Sequence, residues 1–164
     1  MASKYSCHMI PLQDEDDSVE WIEGICDRDP YQVLDDAERL FKLSGIHASR
    51  DEAPHEACVS SKGEVQGVSA LGLYSAEPMD ADPLGRPQYS FSIAVKEDAR
   101  RQGIARALVK SIMSFLPRAD VLLMGKVVNP NMAKLLSSLG FEFAYGDPEW
   151  SDDDLQVGVL MYRP

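Results

Sequence analysis

The segment most suited to chemistry is Arg100-Arg101-Gln102-Gly103-Ile104-Ala105. It lies between a stretch with strand periodicity and a stretch with helix periodicity. At such a junction the first helical N–H groups have no acceptor of their own, and the helix dipole favours negative charge. Gly103 lets a ligand approach the backbone, and Ala105 keeps the next turn uncrowded. Lys96, Arg100, Arg101, Arg106 and Lys110 place five of the 16 Lys and Arg residues within 15 positions. In a chain of net charge −11, this basic island asks for an anionic ligand; an ordinary surface loop leading into a solvated basic helix is the plainer reading. The segment lacks the three glycines of a dinucleotide fingerprint and the Gly-Lys-Ser/Thr ending of a phosphate-binding P-loop.

The elements that must position this segment follow from periodicity. Gln88 to Val95 alternates Tyr89, Phe91, Ile93 and Val95 with Ser90, Ser92 and Ala94, which predicts a half-buried strand. Ile104 to Leu116 carries Ile104, Leu108, Ile112 and Phe115 on one side and is stopped by Pro117, an amphipathic helix. Val121 to Val128 is a β-branched run fit for a buried strand. Asn129-Pro130 opens a helix that runs to Leu139 and closes at Gly140. Strand, helix, strand implies a parallel pair with a right-handed crossover.

Before this unit, Tyr5 to Leu12 reads as a strand and the acidic run Asp14 to Asp17 as a turn. Ser18 then caps a helix carrying Val19, Ile22, Ile25 and Cys26, which Asp29-Pro30 breaks. Tyr31 to Leu43 reads as a second helix, ended by Gly45. Glu56 to Ser60 and Glu64 to Tyr74 form a hairpin about Ser61-Lys62-Gly63, and Glu77 to Pro87, with three prolines and a glycine, is a loop. Phe141 to Tyr145 and Leu155 to Tyr162 are the last strands, joined by the acidic loop Asp147 to Asp154. The expected order is β-α-α-β-β-β-α-β-α-β-β. It forms one α/β (α+β) domain over residues 1–164, with a mixed, mostly antiparallel sheet and about four helices.

Two stretches together resemble the GNAT superfamily of N-acetyltransferases. Val95-Lys96-Glu97-Asp98-Ala99-Arg100-Arg101-Gln102-Gly103-Ile104-Ala105 is similar to its cofactor motif, a strand end followed by R/Q-x-x-G-x-G/A. Val128-Asn129-Pro130 through Leu139-Gly140-Phe141 is similar to its Asn-led helix ending in Leu-Gly-Phe. The likeness is clear over residues 88–145, and the order of elements extends it to the rest. It implies acetyl-CoA as cofactor, with the pantetheine arm pairing against Ile93, Ala94 and Val95 where two parallel strands splay. The pyrophosphate would sit on the N–H groups of Arg101, Gln102, Gly103, Ile104 and Ala105, with charge from Arg100 and Arg106, and Asn129 would reach the pantetheine. One departure stands out: where many members carry a proton-donating Tyr four residues before the Gly, this chain has Leu136, and Ser137 is offset by about 100° around the helix. Tyr145 and Tyr162 are candidate acids and Glu77 the nearest candidate base, with a water chain through Ser90 or Ser92 as another route; each also reads as an ordinary core or surface residue.

The implied reaction moves an acetyl group to a primary amine on a small molecule or a protein. The acidic runs and Trp21, Tyr31 and Trp150 favour a cationic acceptor such as a polyamine, an aminoglycoside, a lysine side chain or a protein N-terminus. Other readings are a catalytically weak acetyl-CoA-binding protein acting through a partner, or an acidic mimic of nucleic acid, which the basic loop argues against. The charge disfavours a nucleic-acid partner. No apolar run nears the roughly 20 residues that span a bilayer and no signal peptide opens the chain, so a cytoplasmic protein is expected. Cys7, Cys26 and Cys58 read as three small reduced residues with no disulfide framework, His8, His47 and His55 lack ligand spacing, and no metal site is expected. A homodimer is left open.

Overall fold

The computed structural model describes residues 7–43, 52–75, 88–115, 122–127, 130–143 and 158–162. The expected loops 77–87 and 147–154 lie outside them, as do Gly45, His47, Glu77, Asn129, Tyr145 and Trp150. The described elements are β1 (Cys7–Pro11), α1 (Glu15–Glu23), α2 (Pro30–Leu43), β2 (Glu52–Ser60), β3 (Val65–Ser75), β4 (Gln88–Val95), α3 (Ile104–Phe115), β5 (Leu122–Val127), α4 (Pro130–Ser138), β6 (Phe141–Phe143) and β7 (Gly158–Tyr162). They follow the order read from the sequence, and a short 3-10 turn, Glu97–Ala99, joins β4 to α3.

The strands form one mixed sheet in the order β1-β2-β3-β4-β5-β7-β6. Its only parallel pair among the described strands is β4–β5; the others are antiparallel. α1 and α2 cover one face, where Ile22, Val33 and Ala37 pack on Ile10, Val59, Val68 and Ala94. α3 and α4 cover the other, where Ile104, Leu108, Ile112 and Leu136 pack on Cys58, Phe91, Ile93 and Phe141. β4 is therefore buried on both faces rather than half-buried: Ile93 faces α3, while Ala94, 3% exposed, faces α2. A small residue here lets a helix lie where alternation alone suggests solvent.

Other boundaries move for local reasons. α1 is capped by Asp14, whose carboxylate accepts the Asp17 N–H at 3.2 Å, and not by Ser18. The acidic run is thus the cap and first turn of the helix, where carboxylates favour the dipole. Ser18 is buried one turn in, its hydroxyl within reach of the Pro11 (2.5 Å) and Asp14 (2.8 Å) carbonyls. α1 ends at Glu23, before the Asp29-Pro30 break, and Pro30 is the first residue of α2. β2 begins at Glu52 rather than Glu56 and carries a bulge that leaves His55 out of register between Pro54 and Glu56.

The reading of the cysteines also changes. β1 and β2 bring Cys7 and Cys58 side by side with Cα atoms 5.6 Å apart, a separation that a disulfide can span, while Cys26 lies away from them. The pairing depends on antiparallel register, Cys7 opposite Ser60 and Met9 opposite Cys58, which no local spacing reveals.

Candidate functional site

The β4–β5 ladder starts at Gln88 opposite Leu122 and stops at Phe91 opposite Gly125. β4 continues to Val95, still paired with β3. Beyond Phe91 the two parallel strands diverge, and the β5-facing edge of Ile93 to Val95 has no strand partner among the described residues.

This edge runs directly into the basic segment. The Lys96 N–H is tied to the Gln66 carbonyl at 2.9 Å, and the 3-10 turn follows. Arg101 then adopts φ 64° and Gly103 φ 85°. Left-handed backbone is ordinary for glycine, but for arginine it stores of order 1 kcal/mol that the surroundings must hold. Such alternation turns successive N–H groups toward one concavity, a nest for an anion. The Ala107 N–H takes the Gly103 carbonyl at 3.0 Å, and the N–H groups of Arg101 through Ala105 have no backbone acceptor among the described residues. Arg100 and Arg101 are exposed beside them, and the Arg100 Nε donates to the Val95 carbonyl at 3.4 Å.

The helix start is anchored by packing. The Ile104 side chain is 1% exposed and belongs to the core, so only its backbone is available to a ligand. Opposite it lies Gly67 of β3, paired with Val95; a Cβ there would stand 2.7 Å from Ile104 Cγ2 and 3.1 Å from Leu108 Cδ1. The missing side chain lets α3 approach the sheet closely and fixes its first turn against the end of β4. The sequence reading missed Gly67, although a glycine inside a strand pattern is a signal of close approach.

Arg106 links two helices. Its guanidinium donates to Ser138 Oγ at 2.9 Å, and that hydroxyl donates in turn to the Leu135 carbonyl at 2.6 Å. The contact ties the first turn of α3 to the last turn of α4. Leu136, where a tyrosine would stand, is 0% exposed in the core with Ile104 and Phe141. Glu77, Asn129 and Tyr145 lie outside the described residues; among the described residues the structure brings together Ile93 to Val95 and Arg100 to Ala105, with Ser90 and Ser92 on the same strand just before them. On the opposite face, Trp21 and Tyr31 are 55% and 57% exposed, one on each of the first two helices.

Residues 17–141 match the Acetyltransferase (GNAT) family. Mouse N-acetyltransferase 8F1 is 33% identical over 82 residues, covering 48% of this chain and 37% of that protein. Mouse N-acetyltransferase 8 is 32% identical over 80 residues, covering 46% and 35%. Each match thus spans little more than a third of the relative's own length. The fold is shared across nearly the whole chain. A GCN5-related N-acetyltransferase from Kribbella flavida superposes with a TM-score of 0.52 at 19% identity, covering 97% of this chain and 98% of that one. The putative acetyltransferase yncA from Salmonella typhimurium, solved with acetyl-CoA, gives 0.53 at 17%, covering 95% and 92%.

Proposed function

The chain belongs to the GNAT acetyltransferase family, and on that premise we propose that it is an N-acetyltransferase, a single domain over residues 1–164 that moves the acetyl group of acetyl-CoA to a primary amine. The observation that carries this reading is the open strand edge at Ile93–Val95 running into the N–H nest at Arg101–Ala105. The edge offers the hydrogen bonds of a missing strand to the amide-bearing pantetheine arm. The nest and the dipole of α3 offer fixed positive charge to the pyrophosphate. Arg100 and Arg101 add mobile charge at the rim, and Asn129 is assigned to the pantetheine.

With both ends of the cofactor held, the thioester would lie near the point where β4 and β5 part. The amine nitrogen attacks the thioester carbonyl, a C–N bond forms, the C–S bond breaks, and the electrons leave on sulfur. The amine must shed a proton, a task assigned to Glu77, and Tyr145 is the candidate donor to the departing thiolate. Leu136 cannot donate, and a thiolate is already a competent leaving group. The net charge of −11 and the exposed Trp21 and Tyr31 support a cationic acceptor.

Buried Leu136 favours one other reading, a weak or inactive acetyl-CoA-binding protein that works through a partner. Thiol release from acetyl-CoA, followed with a thiol-reactive dye over a panel of polyamines, aminoglycosides and peptides, separates the two. Saturable release with one amine class supports the enzyme. Cofactor binding without release supports the second reading, and no thermal stabilisation by millimolar acetyl-CoA sinks both.

A further inference from the structure

On the face away from α3, a cavity of about 650 Å3 opens where α1 and α2 diverge above β2 and β3. Small-molecule sites occupy roughly 300–1,000 Å3. Its walls are apolar, from Leu12, Leu34, Phe41 and Val68 among others. The two serines that line it offer nothing to a ligand: the Ser18 hydroxyl is engaged by the Pro11 and Asp14 carbonyls, and that of Ser69 by the backbone of Glu56. Charge is confined to the rim. There Lys42 is paired with Glu38 at 2.8 Å, while Glu15 has no ion pair among the described residues and sits in a first turn with Asp16 and Asp17. Among the described residues, the cavity presents an apolar interior, no free side-chain donor and a negative mouth.

We propose that this cavity binds a small amine with an apolar body, charged head at the Glu15 rim, as a second site whose ligand is not acetylated. The separation from the cofactor edge is built into the packing. Val33 and Ala37 of α2 are buried against Val68 and its β4 neighbour Ala94, so packed apolar side chains stand between the cavity and the free edge of β4. From Val68 to a ligand on that edge is about two strand spacings, roughly 10 Å, with α2 in the way. The proposal does not depend on the acetyl-transfer reading.

The test is calorimetry with 3-phenylpropylamine, its uncharged twin 3-phenylpropanol, and putrescine, which lacks an apolar body. The amine should bind one per chain, the alcohol about two- to fivefold more weakly, the worth of an exposed charge interaction, and putrescine more weakly still. Leu34→Trp fills the cavity and should abolish binding of the first two. Glu15→Gln, at an exposed position, should weaken only the amine. Saturating acetyl-CoA should leave the affinity within about twofold, and the recovered amine should show no acetyl group that depends on Leu34. The proposal is overturned if the wild type binds amine and alcohol equally or neither. It also fails if binding survives Leu34→Trp, or if Leu34→Trp abolishes acetylation of this amine, which would make the cavity the acceptor site.

Discussion

Gly67→Ala tests whether the close approach of α3 sets the cofactor site. The new methyl would stand 2.7 Å from Ile104 Cγ2 and 3.1 Å from Leu108 Cδ1, where carbon atoms prefer about 3.5–4.0 Å. Neither side chain has open space to swing into, since Ile104 and Leu108 are 1% and 0% exposed, so any relief must come from the helix as a whole. Overpacking of this kind costs about 1–3 kcal/mol. Against it, alanine stiffens the unfolded chain and returns about 0.4–1 kcal/mol. The net loss is about 0–2.6 kcal/mol, with a middle value of about 1.3 kcal/mol, a fall in Tm of up to roughly 10 °C for a domain of this size. Because strain relaxes by moving α3 outward, acetyl-CoA affinity should fall as well, although Gly67 contributes no atom to the nest. The control is a double-mutant cycle: Ile104→Ala alone removes about 2–5 kcal/mol, and in the Gly67→Ala background it should remove about 1 kcal/mol less. Scanning calorimetry and cofactor titration of the four proteins suffice. A Tm for Gly67→Ala at or above wild type, or strict additivity with Ile104→Ala, would refute the reasoning.

Gly103→Glu should abolish acetyl-CoA binding in calorimetry, because the residue at φ 85° must accept a side chain and a negative charge enters the nest. Leu136→Tyr should lower stability by about 1–3 kcal/mol in urea melts without raising turnover, since Leu136 is buried in the core with Phe141. His55 gives a pH dependence. Gln13 Nε2 donates to its Nδ1 at 2.7 Å, leaving a buried Nε2 with no partner among the described residues, and burial holds the imidazole below its ordinary 6.5 despite the opposing Glu56 charge. The unfolded chain then binds the proton first, so stability should fall as pH drops from about 6.5 through the lower folded value; His55→Gln should flatten that slope in urea melts, and an unchanged slope would place the titration elsewhere.

The order of elements was legible because hydrophobic period is local: Ile104, Leu108 and Ile112 announce α3 without reference to anything else. The nest was legible for a related reason, since charge, glycine and the strand-to-helix junction fall within one short segment. What escaped was decided by contacts distant in sequence. Asp14 and Ser18 are both good caps, and the exit of the chain from β1 chooses between them. Cys7 and Cys58 meet only through strand register. The tie from Arg106 to Ser138 exists only once α4 is in place beside α3. The bulge at His55 leaves no mark in the alternation of Ala57 and Val59 that follows it.

The parallel seam has a mechanical consequence. Among the described residues, β4 and β5 share four residue pairs, Gln88–Leu122 to Phe91–Gly125, against eight between β3 and β4. The strands β5, β6 and β7 with α4 thus form a lobe joined to the rest by this short ladder, by the burial of Leu136 and Phe141 in the core with Ile104 and Leu108, and by the Arg106–Ser138 tie. Such a lobe can open below the global unfolding free energy. A ligand lying along Ile93–Val95 would lengthen the seam and couple the two sides, so that loading the protein changes how many cooperative units it has as well as how stable it is.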